Sequence, residues 1–144
     1  QSGHSFESCC QLALTKNQYA ETAEMLMRSR YTAFCLRDQT YLLETWHPST
    51  RPQSIEFPPQ QLWLGLKVVT TQGGGLEDAE GQVEFVARYK IQGKAYRLHE
   101  CSDFLRQDQR WYYTQGAGIT LFILCPLLML VEIEMELKKR LPKK

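Results

Sequence analysis

The sequence predicts an α+β fold in which two N-terminal helices cover one face of an antiparallel sheet. Apolar residues recur at helical spacing over residues 23–37, and a shorter helical segment follows at 41–46. From residue 62 the apolar period changes to two, and short glycine-containing or polar turns separate the alternating segments. Helices followed by a run of strands joined by short turns are typical of the α+β class.

Local signals bound both predicted helices. Thr22 is a suitable N-cap for the first helix, and Asp38 punctuates its end. The second helix is predicted over Tyr41 to Trp46, and His47-Pro48 ends it because the residue before a proline is pushed out of the α region. The segment 51–60 carries three prolines and is predicted to be a loop.

Four strands are predicted from the two-residue period. In the first, Leu62, Leu64, Leu66 and Val68 alternate with their neighbours as one face of a half-buried strand. Turns are predicted at the glycine-rich segment 73–81, at Gln92-Gly93 and at 107–109. The other three strands are predicted at 83–91, 96–104 and 111–114.

Length and composition bound the class of protein. A chain of 144 residues is one domain in size, and 17 basic against 16 acidic residues leave no global field that points to nucleic acid. Five scattered cysteines do not form a disulfide framework, which favours the cytoplasm, and Cys35 and Cys101 are predicted to be small buried residues. No secretion signal is visible, and because the chain opens on Gln1 we expect the gene product to begin further upstream.

Two charged residues occur where the pattern expects apolar ones. Arg30 falls on the apolar stripe of the first helix, and Glu100 falls on the inward face of its strand. Because a buried charge is costly unless paired, we expect Arg30 or Arg28 to meet Glu100 inside the fold. The pair is either a structural link between helix and sheet or the polar floor of a ligand pocket. In the second case the residues around the pocket mouth are Tyr31, Trp46 and His47.

No catalytic constellation is evident. His99 alternates to the face opposite Glu100, so the two are not expected to form an acid–base pair. His99 and Asp103 share a face, which predicts at most a surface hydrogen bond between them. The sequence therefore favours a binding protein over an enzyme.

The N-terminal lead contains what looks like half a zinc site. Ser2-Gly3 and Phe6 precede the adjacent pair Cys9 and Cys10, which supply two of the four ligands that a zinc knuckle needs. The alternative interpretation is that both cysteines are ordinary small core residues.

This lead resembles the SEC-C motif, a Cys-x-Cys followed by Ser-Gly, an aromatic residue and Cys-Cys or Cys-His; the first Cys-x-Cys is absent here. Together with the blocks Met27-Arg28-Ser29-Arg30-Tyr31 and Thr45-Trp46-His47-Pro48, the sequence resembles the bacterial YchJ-like family over residues 1–116. The resemblance implies a cystatin-like roll, of the kind named after nuclear transport factor two, with a pocket between sheet and helix. It divides the chain into a partial zinc-knuckle segment and linker (1–19), the roll (20–116) and an atypical tail (117–144).

The resemblance also implies partners. Zinc would be bound by Cys9 and Cys10 only if the upstream Cys-x-Cys is present. By analogy with the SEC-C tail of the preprotein translocase motor, the motif would contact protein partners associated with the ribosome or a chaperone. The roll would then serve a second partner, with a small-molecule site or weak enzymatic activity in its pocket as the alternative. Because rolls of this type often dimerise, a further alternative is that this chain forms a homodimer through its open sheet face.

The tail departs from the family pattern. Its apolar run at 119–131 is shorter than the roughly 20 residues of a membrane helix, and Pro126 interrupts it. We therefore expect no membrane span, and we expect the basic residues near the end to be solvated.

Overall fold

The computed structural model of the chain describes residues 19–118. Two helices precede four strands, and the strands form one antiparallel sheet in sequential order, β1-β2-β3-β4. The predicted α+β architecture, with helices packed on a curved antiparallel sheet, is confirmed. The elements are α1 (Ala23–Leu36), α2 (Gln39–Glu44), β1 (Gln61–Gly73), β2 (Glu80–Ile91), β3 (Lys94–Gln107) and β4 (Arg110–Gly118).

The helix boundaries follow from side-chain caps. Thr22 accepts a hydrogen bond from the Met25 N–H, as predicted, and α1 ends where Arg37 takes a left-handed conformation. The second helix begins two residues earlier than predicted, because the Asp38 carboxylate accepts from the Tyr41 N–H and caps it. It also ends earlier, at Glu44, because the following residues turn to pair with β4.

The contact between β4 and the segment after α2 fixes the helices against the sheet. The Tyr113 N–H donates to the Thr45 carbonyl over 2.8 Å, and the His47 N–H donates to the Tyr113 carbonyl over the same distance. Trp46 thus forms a parallel bridge with Tyr113, and their rings meet edge to face with centroids 4.9 Å apart. The segment after α2 is therefore bonded directly to the edge strand of the sheet.

The inner face of the sheet packs under α1. In the central strands Phe85 lies opposite Glu100 and Ala87 lies opposite Leu98, and all four residues are buried. The alternation predicted for β2 and β3 is therefore confirmed. The other buried residues of these two strands on this face are Gly81, Val83, Tyr89, Ser102 and Phe104.

The predicted inward face of β1 is wrong at its start. A bulge between Trp63 and Gly65 shifts the register, so that Trp63 packs on the core while Leu62 and Leu64 are 61% and 45% exposed. An extra residue in one strand reverses the alternation of side chains across it. The residues before the bulge therefore face the opposite way from what the pattern after the bulge predicts. Beyond the bulge Leu66 and Val68 do face the core, as predicted.

The glycine-rich turn lies against the start of α1. The Ala23 N–H donates to the Gly74 carbonyl over 2.9 Å, and Gly73 and Gly74 both have positive φ. The turn therefore satisfies one of the free N–H groups at the helix N-terminus. In the range 19–118, none of the helices has the length and apolarity needed to cross a bilayer.

Candidate functional site

Arg30 lies at the centre of a buried polar cluster between α1, α2 and β4. Its Nη1 donates to the Leu42 carbonyl over 2.8 Å and to the Thr45 hydroxyl over 2.6 Å. Its guanidinium carbon lies 4.5 Å from the centroid of the Tyr113 ring and 5.3 Å from that of Trp46. Arg30 is only 4% exposed, so these contacts replace water around its charge.

Glu100 approaches the same region from the sheet. It is 2% exposed on the inner face of β3, and the Ser102 hydroxyl donates to its Oε1 over 3.1 Å. Arg30 and Glu100 therefore both lie in the interior and line the same cavity. Two ordinarily charged groups, one from the helix layer and one from the sheet, lie in one apolar core.

A small cavity separates the helix layer from the sheet at this point. It offers about 30 Å³ to a water-sized sphere. That volume suits one or two water molecules, whereas small-molecule sites usually measure roughly 300–1,000 Å³. The lining residues are Met27, Arg30, Phe34, Trp46, Phe85, Glu100, Ser102 and Tyr113.

Burial lowers the pKa of the Arg30 guanidinium from 12.5 to about 10, because loss of water disfavours the charged form. The nearby Tyr113, Tyr41 and Glu100 side chains act in the opposite direction. Arg30 consequently stays cationic at neutral pH. The cluster can hold a water or a small polar group beside a fixed cation. Within it the Ser102 hydroxyl and the Glu100 carboxylate lie in hydrogen-bonding reach of each other, beside a space with room for only one or two waters.

Three of the six predicted pocket residues lie outside the cavity lining. Arg28 lies two residues from Arg30, on another side of α1, and forms an ion pair with Glu24 at 3.5 Å. Tyr31 is buried edge-on against Trp63. Only Arg30, Trp46 and Glu100 are brought together as predicted.

His47 lies at the surface in a hydrogen-bonded turn. Its Nδ1 accepts from the Ser49 N–H over 3.1 Å and lies 2.6 Å from the Ser49 hydroxyl. With Nδ1 as acceptor, Nε2 carries the proton and donates to Gln107 Oε1 over 2.7 Å. Both ring nitrogens are thus used to fix the turn after α2 to the β3–β4 turn, so His47 does not border the cavity.

Sequence reasoning missed three polar members of the cluster. Thr45 and Tyr113 surround Arg30, and Ser102 bonds Glu100. Ser102 could have been found, because it shares the alternating inward face with Glu100. Thr45 contacts Arg30 through the packing of α1 against the end of α2, and Tyr113 contacts it from β4; neither contact leaves a local pattern in the sequence.

The opposite, outer face of the sheet is polar. His99 pairs with Glu84 at 3.5 Å, and the Asp103 carboxylate accepts from the amides of Gln82 and Gln115. The predicted bond between His99 and Asp103 is therefore wrong, because cross-strand neighbours lie closer than residues four apart on one strand. Near Asp103 an open depression of about 550 Å³ runs along the strands.

The prediction that Cys35 and Cys101 are buried is wrong for Cys35 and holds only in part for Cys101. Cys35 is exposed rather than buried, because it lies on the solvent side of α1, and Cys101 is half-buried. Burial, together with the negative charges of Asp103, Glu84 and Glu100, raises the pKa of the Cys101 thiol, which keeps it protonated and weakly nucleophilic. Cys9 and Cys10 lie outside the described residues, and within residues 19–118 no group of three or more metal-ligating side chains occurs.

We expect the replacement Tyr31→Phe to reduce the loss of stability in alkaline solution. Burial, and secondarily the neighbouring Cys35, raises the pKa of the Tyr31 hydroxyl above its ordinary value of 10.0. The unfolded chain therefore loses this proton first, so stability is complete below about pH 10 and falls at higher pH. Urea unfolding at pH 10 to 11.5 should show a slope shallower by up to about 1.4 kcal/mol per pH unit in the variant. Identical slopes would contradict a buried neutral hydroxyl.

The helix pair, the four-stranded antiparallel sheet and the small interior cavity define an NTF2-like α+β roll. The family model described as "YchJ, middle NTF2-like domain" matches residues 22–116. The chain therefore belongs to the YchJ family.

Relatives named UPF0225 proteins support this membership. The one from Chromobacterium violaceum is 49% identical over 118 residues, which cover 79% of this chain and 87% of the relative. The one from Methylibium petroleiphilum is 50% identical over 112 residues, covering 77% and 81%.

Two solved structures share the fold. A SEC-C motif containing protein from Rhodopseudomonas palustris superposes with a TM-score of 0.72 at 31% identity, covering 83% of this chain and 95% of that one. A second SEC-C motif containing protein, from Psychrobacter arcticus, has a TM-score of 0.64 at 27% identity and covers 83% and 76%.

Proposed function

We propose that this protein is a cytoplasmic, non-enzymatic binding or adaptor protein whose partners are other proteins. The observation that carries this proposal is the small volume of the space inside the roll. The cavity beside Arg30 and Glu100 offers only about 30 Å³, which is too small for an ordinary substrate. The interior polar groups serve to join helix to sheet, so recognition is assigned to the outside of the roll and to the N-terminal segment.

The N-terminal segment is proposed to bind zinc through Cys9 and Cys10 together with an upstream Cys-x-Cys pair. Both structural neighbours are SEC-C motif containing proteins, which supports such a motif in this family. A closed site with four ligands is typical of structural zinc, which would order the segment as a contact surface. Its proposed partners are ribosome-associated or chaperone-associated proteins, without specific nucleic-acid or membrane binding.

We expect the protein with an upstream Cys-x-Cys restored to carry about one zinc ion per chain. Native mass spectrometry after purification without chelator would show the mass increment directly. The double replacement Cys9→Ser and Cys10→Ser should abolish it, because the remaining pair cannot complete a tetrahedral site.

The matched control is Cys35→Ser, which removes an exposed cysteine from α1 and should leave the zinc content unchanged. An extended protein that carries no zinc would overturn the motif. Zinc lost equally in the Cys35→Ser variant would indicate adventitious thiol binding instead.

A second candidate function is binding of a very small polar molecule in the roll. The specific observation in its favour is that Arg30, Glu100 and Trp46 do line one cavity. The same mass spectra distinguish it: a retained small molecule that is lost on Arg30→Met would move the function into the cavity. A chain mass with zinc alone supports the adaptor.

A further inference from the structure

A basic surface lies on the outer face of the sheet, at the end away from the glycine-rich turn. In the register of the sheet Arg88 lies directly opposite Arg97, and Lys90 follows on the same face of β2. On β1, Leu62 lies opposite Lys90 and Gly65 lies opposite Arg88. We call this surface the outer basic patch; its members are Leu62, Leu64, Gly65, Lys67, Arg88, Lys90 and Arg97.

The cations of the outer basic patch are not neutralised within the described part of the chain. Lys67, Arg88, Lys90 and Arg97 are all exposed, and no carboxylate of residues 19–118 forms an ion pair with any of them. Like charges directly opposite each other on neighbouring strands destabilise a sheet. The Arg88–Arg97 pair thus breaks a local rule, and such violations are typical of functional surfaces.

The patch also has an apolar border and an open centre. Leu62 and Leu64 are exposed by the bulge in β1. A Cβ atom built on Gly65 meets no atom within 4 Å, so the strand backbone there is open to close approach. The surface therefore offers aliphatic contact, accessible backbone and cations side by side.

We propose that the outer basic patch docks an extended, acidic and aliphatic segment of a partner protein, an inference that rests on the proposed adaptor function. Alternate residues on one face of a strand are about 7 Å apart, which is the spacing of Arg88 and Lys90. Glutamates at alternate positions of an extended peptide have the same spacing, and the peptide can lie over Gly65 against Leu62.

Two other occupants fit less well. In a two-fold contact centred on the patch, Arg88 and Arg97 would meet their own copies, which like-charge repulsion opposes. Single-stranded nucleic acid is bound on stacked aromatic rings, and no aromatic side chain belongs to the patch. Tyr96, the nearest exposed ring along β3, stacks on Tyr89 of the inner face instead.

The test uses the full 144-residue chain and a fluorescein-labelled ten-residue peptide of alternating glutamate and leucine, followed by fluorescence anisotropy. We expect saturable binding that weakens as salt rises. Arg88→Gln and Arg97→Gln should each reduce affinity about threefold to fivefold, as for exposed charge pairs. Gly65→Trp should reduce it at least about tenfold without lowering the melting temperature, because the site above Gly65 is open and aromatic residues are favoured in strands.

The matched control is Gln53→Glu, in the exposed loop before β1, which changes net charge by the same amount as each arginine variant and should leave affinity unchanged. Arg97→Gln should also leave stability equal or higher, which separates a docking role from a structural one.

Affinity that is insensitive to these patch variants, or no binding at all, would overturn the proposal. Tighter, patch-dependent binding of labelled oligouridylate would overturn it in favour of nucleic acid. The zinc measurement on the same samples shows whether the adaptor proposal survives independently.

Discussion

The replacement Arg30→Met is expected to lower the free energy of unfolding by about 3–5 kcal/mol, the range for breaking a buried charged cluster. It removes both hydrogen bonds that tie α1 to the end of α2, at Leu42 and Thr45. It also removes the cation from the rings of Trp46 and Tyr113 and takes the positive charge away from buried Glu100. Urea unfolding followed by tryptophan fluorescence measures this change.

The control is Arg28→Met, the same substitution two residues earlier on α1. The Arg28 side chain is 12% exposed, but its ion pair is with Glu24, which is 43% exposed and therefore screened by water, so we expect a cost of at most about 1 kcal/mol. Adding Glu100→Gln to Arg30→Met should restore at least about 1 kcal/mol, because the buried carboxylate is then neutral. If Arg30→Met costs no more than Arg28→Met, the cluster does not hold the fold together. If the double variant loses the sum of the two free-energy costs measured for the single variants, the two charges are not coupled.

The sequence predicted the centre of the cluster because Arg30 and Glu100 each broke a clear apolar pattern. A charge on a buried face must find compensation, which is enough to place two such residues together. The compensating groups could not be predicted in the same way. Thr45 reaches Arg30 where α1 packs against the end of α2, and Tyr113 reaches it from β4, so both contacts join residues far apart in sequence.

The errors in the prediction have definite physical causes. Arg28 and Arg30 are both in the Met-Arg-Ser-Arg-Tyr block, but residues two apart on a helix do not share a face. The exposure of Leu62 and Leu64 depends on a bulge, which alternation alone cannot reveal. The outer basic patch combines residues of three strands, so it becomes visible only once the register of the sheet is known.

The junction between the sheet and the start of α1 gives the second large expected effect. A Cβ atom on Gly81 would lie 2.5 Å from the Gly74 Cα and 2.7 Å from the Gly74 nitrogen. Backbone atoms at this distance cannot move aside as a flexible side chain can. Because Gly74 also bonds the Ala23 N–H, the displacement would be transmitted to α1, the helix that carries Arg30.

We therefore expect Gly81→Ala to lower the free energy of unfolding by about 3 kcal/mol, at the upper end of the usual overpacking range. The matched control is Gly65→Ala, also a strand glycine without positive φ, where an added Cβ meets no atom within 4 Å. That variant should be neutral or more stable by about 0.5–1 kcal/mol, because glycine weakens strands. Urea unfolding of both variants provides the comparison. A Gly81→Ala protein as stable as the Gly65→Ala protein would show that the junction can yield without cost. A large loss confined to Gly81→Ala would instead show that the backbone approach at this turn positions the helix, and with it Arg30, on the sheet.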